Sequence, residues 1–187
     1  FDTFTSEEYM AEQDDTNPND WMRDRNLTKY IIEALEETED PDYIYTISVQ
    51  GHGDYPEEPM IDNPKITVTG GESDAVNNKW EYYCNQIYEM DQFVKELTDT
   101  LSEYDEDVVL VMYGDHLPTM GLTVSDLENR YLFQTEYVIW SNKKMLEDTH
   151  FKVLSYEANS AKIFPDTDIK GGVAVTFRNA KKDFGAI

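Results

Sequence analysis

Residues 108–121 read VVLVMYGDHLPTMG, and the fold turns on them. Val108 to Tyr113 are apolar or aromatic without alternation, the pattern of a strand buried on both faces, which is typical of a parallel sheet covered by helices. The run stops at Gly114, and Pro118 bars its continuation as a central strand. Between them stand Asp115 and His116, a carboxylate and an imidazole where the hydrophobic pattern ends. Neighbouring strand residues point to opposite faces, so both side chains can reach one metal ion only where the chain leaves strand geometry; Gly114 is expected to permit that turn. Asp and neutral His together suit Mn²⁺, Zn²⁺ or Mg²⁺. Standing alone, Gly-Asp-His is also an ordinary turn, so its weight depends on what the fold brings beside it.

A second strand signal, Tyr43 to Val49 within YIYTISVQGHGDYP, is rich in β-branched and aromatic residues and runs into Gly51-His52-Gly53. From Val76 to Tyr104, the residues Trp80, Tyr83, Cys84, Ile87, Met90, Phe93, Val94, Leu97 and Leu101 trace one helical face, the clearest periodicity in the chain. Strand, helix and strand in that order make a βαβ unit, which predicts parallel strands whose carboxyl ends share one sheet edge. Sites in open α/β sheets assemble outside that edge. His52, Asp115 and His116 are therefore expected to be neighbours, in an α/β fold with a mostly parallel sheet flanked by helices.

The remaining elements are less sharply marked. A helix is expected from about Asp20 to Glu37 along Trp21, Leu27, Tyr30, Ile31, Ala34 and Leu35, with Asn19 or Asp20 as its cap. The acidic Gly/Pro-containing loop from Gly51 to Asp74 is long enough to suggest a binding segment, with a short strand at Ile66 to Thr69. A short acidic helix near Ser125 and a strand from Thr135 to Ser141 follow.

The length of 187 residues suits one domain, and 40% hydrophobic residues exclude global disorder. With 15 basic and 39 acidic residues the net charge is −24. Such a surface keeps a protein soluble, repels nucleic acid and anionic headgroups, and attracts cations. The single cysteine, Cys84, allows no intrachain disulfide, and with no His or cation near it in sequence it reads as a packing residue. No stretch has the pattern of a signal peptide or a membrane span.

VVLVMYGDHLP, YIYTISVQGHGDYP and the intervening YYCNQIYEMDQFVKEL together resemble the extracellular domain of the lipoteichoic acid synthase family, within the sulfatase and alkaline phosphatase superfamily. The resemblance covers about residues 1–142 in unbroken order. It implies a Mn²⁺-dependent phosphotransferase that moves glycerol phosphate, or a related headgroup, from a phosphatidylglycerol-like lipid at the outer face of the cell membrane. It further implies that Asp115 and His116 are metal ligands and that His52 contacts the substrate phosphate or the leaving oxygen. No threonine here matches the family's nucleophile motif, which lies upstream of the segment resembling FDTFTSEEYM. On this resemblance the chain is an N-terminally truncated catalytic domain with half of a metal site, expected to be inactive alone.

From residue 143 the pattern changes. The tail, through FPDTDIKGGVAV, is similar to a segment of adenine-specific DNA methylases of restriction-modification systems, without their cofactor-binding or catalytic motifs. Charge shifts at the same place: residues 1–142 hold 7 basic and 33 acidic residues, net −26, and residues 143–187 hold 8 and 6, net +2. Two readings stay open, a fusion of unrelated fragments joined near Asn142 to Met145 and a divergent family C-terminus. Lys170-Gly171-Gly172 reads as a turn before a strand from Val173 to Phe177 rather than as a phosphate loop. For function, an enzyme of the synthase type stands against a non-catalytic chain with residual metal binding. Nucleic-acid modification rests on the tail alone and conflicts with the acidic body.

Overall fold

A computed structural model describes residues 2–143 and the backbone of residues 172–179. A 3₁₀ turn at Asp24–Asn26 leads into α1, Leu27–Glu36. The helix therefore starts later than its apolar spacing suggested. Asp20 is not its cap: that residue turns through the left-handed region at φ 62° in a hairpin closed by the Thr16–Met22 bridge. Strand β1 covers Tyr43–Ser48, and α2 covers Asp74–Ser102 behind a Ser73 cap whose hydroxyl accepts the Val76 N–H. Strand β2 covers Asp107–Tyr113, a 3₁₀ turn stands at Val124–Asp126, β3 covers Tyr137–Ser141 and β4 covers Gly172–Asn179. Lys170 and Gly171, read as a turn, lie outside the described residues.

The sheet has the order β1-β4-β2-β3, and every described pairing is antiparallel. The expected mostly parallel sheet is thus not what these residues form. The reason is β4, which lies between the two strands of the βαβ unit. Ser48 pairs with Gly172 and Tyr113 with Val173, so β1 and β2 still point the same way and finish side by side at one edge. The direction of β1 and β2 matches the sequence reading; their direct pairing does not.

The core lies between the sheet and the two helices. Val108 and Leu110 of β2 meet Leu27, Ile31 and Leu35 of α1 and Phe93, Leu97 and Leu101 of α2, with Met10 and Met22 closing the cluster. Val109 is buried on the other face of the sheet, so three consecutive residues are covered, as the unalternating run requires. Burying each large aliphatic side chain contributes about 1.5–3 kcal/mol.

Only the C-terminal half of α2 follows the apolar face read from sequence. In its N-terminal half the buried residues are Tyr82, Asn85 and Gln86, while Ile87 stays exposed. Hydrogen bonds explain the reversal. Asn85 Oδ1 accepts from the N–H groups of Lys65 and Ile66, its Nδ2 donates to the Ile66 carbonyl, and Glu81 accepts from the Val68 N–H. The loop at 65–68 therefore pairs with helix side chains instead of forming the expected strand.

At the other end of α2, Asn142 joins helix to sheet. Its Oδ1 accepts the Val108 N–H at 2.9 Å, and its Nδ2 faces the carbonyls of Leu101, Tyr104 and Glu106 at 3.2, 3.2 and 2.8 Å.

Candidate functional site

His52 stands four residues after β1, and Asp115 and His116 stand two and three residues after β2. Because both strands finish at the same edge, these loops meet. The His52 and His116 rings lie edge to face with centroids 6.1 Å apart. Gly53 sits so close to Thr119 that a Cβ there would stand 3.0 Å from the threonine hydroxyl. All three residues singled out from the sequence are thus in one place.

Gly114 does not turn in the way expected. Its φ is not left-handed, and an added Cβ would meet nothing closer than 3.8 Å. The departure from strand geometry comes after it, in Asp115 and His116 themselves.

His116 Nδ1 lies 2.7 Å from the Leu117 carbonyl, which can only accept, so Nδ1 carries the hydrogen. In the neutral ring the lone pair is then on Nε2, and Nε2 faces Asp115 Oδ1 at 3.7 Å. Both atoms are donors of the kind that bind divalent cations. Ligand atoms about 2.1 Å from one ion stand about 3.0–3.4 Å apart, so this pair is slightly more open than a metal-bound pair. The donor types, one carboxylate and one imidazole, suit a divalent metal, and the Leu117 carbonyl fixes the imidazole orientation as outer partners of metal-bound histidines do. Among the described residues no three His, Cys, Asp or Glu side chains gather around one point. Asp115 and His116 are two candidate donors, and among the described residues His52 does not join them in a three-donor cluster.

On the face of the sheet away from the helices, Tyr45 hydrogen-bonds to Tyr113. Burial first, then Tyr113 and the Asp115 charge, push the Tyr45 phenol well above its usual range, so it stays protonated. Thr135 packs beside Gly114 and belongs to an open cleft of about 510 Å³ lined by Val124 and residues 130–135. Arg130 is the cation of that cleft, and Tyr131 and Phe133 expose apolar surface there.

The sequence reading missed the groups that surround His52. Trp21, assigned to a helix face, lies in the hairpin and sets its ring edge-on to His52, with centroids 5.3 Å apart. Beneath the loop runs a buried polar cluster of Asn17, Asp24, Gln50 and Gln86. Burial pushes the Asp24 carboxyl up to about 6, against the opposing pull of its hydrogen bonds from Ser48, Gln50 and Val49. The one local signal was the pair Asn85-Gln86 in a helix flanked by aromatic residues, polar side chains where a purely apolar face would not place them.

Residues 1–166 match the sulfatase family, and the chain belongs to that family. Its members are metal-dependent. The chain is also 30% identical over 158 residues to a protein of Rhizobium meliloti (strain 1021) named for cyclic β-1,2-glucan modification, a match covering 76% of this chain and 24% of that protein. The chain therefore spans about a quarter of the length of this curated relative. No solved structure matches it. No helix among the described residues is long and apolar enough to cross a membrane.

Proposed function

We propose that this chain belongs to a metal-dependent phosphotransferase or phosphohydrolase of the lipoteichoic acid synthase type, acting on a glycerol-phosphate or related headgroup. The observation that carries the reading is the meeting of two strand ends: one delivers His52, the other an Asp115 carboxylate and a His116 lone pair facing each other at 3.7 Å. Asp115 and His116 hold the metal, Mn²⁺ by resemblance and Mg²⁺ or Zn²⁺ by donor chemistry. A metal held there would supply Lewis acidity toward the phosphate and favour the ionised form of an oxygen nucleophile. His52 contacts the substrate phosphate or the leaving oxygen, where it stabilises charge or moves a proton. Trp21 and Gly53-Thr119 restrict where its ring stands.

The substrate in the complete parent is a phosphatidylglycerol-like lipid presented at the extracellular face of the membrane. The apolar cleft beside Gly114, with Arg130 as its cation, suits an anionic headgroup on an apolar stem. The relative's name favours a carbohydrate acceptor. The acidic body argues against nucleic acid as a partner.

Calorimetric titration of the purified chain with Mn²⁺, Mg²⁺ and Zn²⁺ tests the metal assignment. Saturable binding is expected, with affinity reduced at least about tenfold in Asp115→Ala and in His116→Ala, since loss of outer-shell partners alone costs that much. Equal affinity in the variants would remove these residues from the site. With no threonine matching the nucleophile motif, the chain by itself is expected to release negligible diacylglycerol from phosphatidylglycerol vesicles. Robust Mn²⁺-dependent release would place a nucleophile within the chain itself.

The absence of a three-ligand cluster among the described residues favours one second reading, a chain that binds metal without catalysis. Turnover by the full-length parent, lost on Asp115→Ala, separates the two.

A further inference from the structure

Asp24 is 1% exposed, yet it carries a carboxylate that three donors approach. Ser48 Oγ donates to Oδ2 at 3.0 Å, and the backbone N–H groups of Val49 and Gln50 donate to Oδ1 at 3.3 and 3.4 Å. Those donors belong to the last residue of β1 and the first two beyond it. A buried N–H without a partner is costly, so the carboxylate takes over as acceptor where β1 ends. The Val49 carbonyl then accepts the His52 N–H at 2.9 Å, closing the turn that carries the imidazole.

The same cluster reaches His52 from its other side. Asp24 N–H donates to Gln50 Oε1 at 2.9 Å, and Gln50 Nε2 donates to Gln86 Oε1 at 3.0 Å and to the Glu89 carboxylate. Asn17 Nδ2 donates to the Gln50 carbonyl at 3.0 Å and to Gln86 Oε1 at 3.1 Å, while Asn17 Oδ1 accepts the Trp21 N–H at 3.0 Å. Trp21 is the residue whose ring edges onto His52. Arg23, paired with Glu89, borders the cluster on the solvent side. Satisfied polar clusters of this kind specify one geometry, because any member left unpaired in the interior is costly.

We propose that Asp24 is a positioning residue for His52: by capping the end of β1 it fixes the 49–52 turn, and through Gln50 and Asn17 it holds the backbone at Trp21, whose ring edges onto the imidazole. Its meaning for catalysis rests on the reading of His52 as the phosphate contact; the coupling between the two residues does not.

The chain has three histidines, few enough to follow by ring ¹H–¹⁵N spectra, with His52 and His116 assigned from His52→Gln and His116→Gln. Asp24→Ala is expected to shift or broaden the His52 ring signals while His116 and the far-ultraviolet dichroism hold. Asp24→Asn is expected to restore the His52 signals, because its amide oxygen still accepts from residues 49 and 50 and its amide hydrogens can donate to Ser48 Oγ. A folded Asp24→Ala chain with unchanged His52 signals, or an Asn variant as displaced as the Ala variant, would overturn the proposal. Should Asp24→Ala not fold, Ser48→Ala removes one donor alone: a His52 shift without a His116 shift supports the coupling, and an unmoved His52 overturns it. Titration of the unaltered chain with glycerol phosphate tests the other reading separately, since a His52 ring that ignores it rejects the phosphate contact whatever Asp24 does.

Discussion

Gly53 rests on Thr119: a Cβ on the glycine would stand 3.0 Å from the threonine Oγ1. The loop after β1 thus leans directly on the loop after β2, and the site depends on that fit. Gly53→Ala is expected to destabilise the fold by about 1 kcal/mol, with Thr119→Ala in the same chain returning most of the loss. A double-mutant cycle by urea denaturation reads the coupling. Gly114→Ala, whose Cβ meets Thr135 at an ordinary 3.8 Å, is expected to change stability by less than about 0.5 kcal/mol. The two glycines look alike in sequence, each beside a histidine-bearing loop, and only at Gly53 would an added methyl press on a neighbour.

Asp24 gives the chain a pH signature. Burial raises its pKa from 3.8 to about 6, so between those values the folded state binds more protons than the unfolded state. The contribution of this group is therefore full below about pH 4 and is lost as the pH rises through 6. At about 1.4 kcal/mol per pKa unit, the loss approaches about 3 kcal/mol. Asp24→Asn does not titrate, so its stability relative to the unaltered chain is expected to rise between pH 4 and pH 7. Denaturant midpoints measured for both chains across that range check the sign; parallel curves would mean that Asp24 titrates normally.

Asn142→Ala removes the acceptor for the Val108 N–H and the donor shared by three carbonyls at the end of α2. The expected cost is about 1–3 kcal/mol, the range for buried backbone groups left unpaired. Hydrogen exchange should locate it: faster exchange at the start of β2 and the last turn of α2, with α1 unchanged.

Leu101→Ala opens a cavity where α2, α1 and β2 meet, at a side chain with no exposed surface. A loss of about 2–5 kcal/mol is expected by chemical denaturation. Ile87→Ala on the same helix, although apolar and one of the residues on the face read from sequence, is expected to cost under about 1 kcal/mol because Ile87 is 38% exposed.

The sequence by itself determined the elements whose signal is local. The run from Val108 to Tyr113 became β2, the three-to-four spacing from Phe93 to Leu101 became the core face of α2, and the residues at the ends of β1 and β2 were already marked by composition. It also determined the nearness of His52 to Asp115 and His116, because strand direction in a βαβ unit follows from connectivity. Tertiary structure alone decided that β4 stands between β1 and β2, that Asn85 and Gln86 face inward, and that Asp24 accepts from Val49 and Gln50 while the Trp21 ring edges onto His52. Each of these depends on a partner distant in the chain, Gly172 for Ser48, Ile66 for Asn85, Val49 for Asp24. No local pattern encodes such a partner, because a buried polar group is indistinguishable in sequence from an exposed one until its hydrogen-bond acceptor or donor is in place.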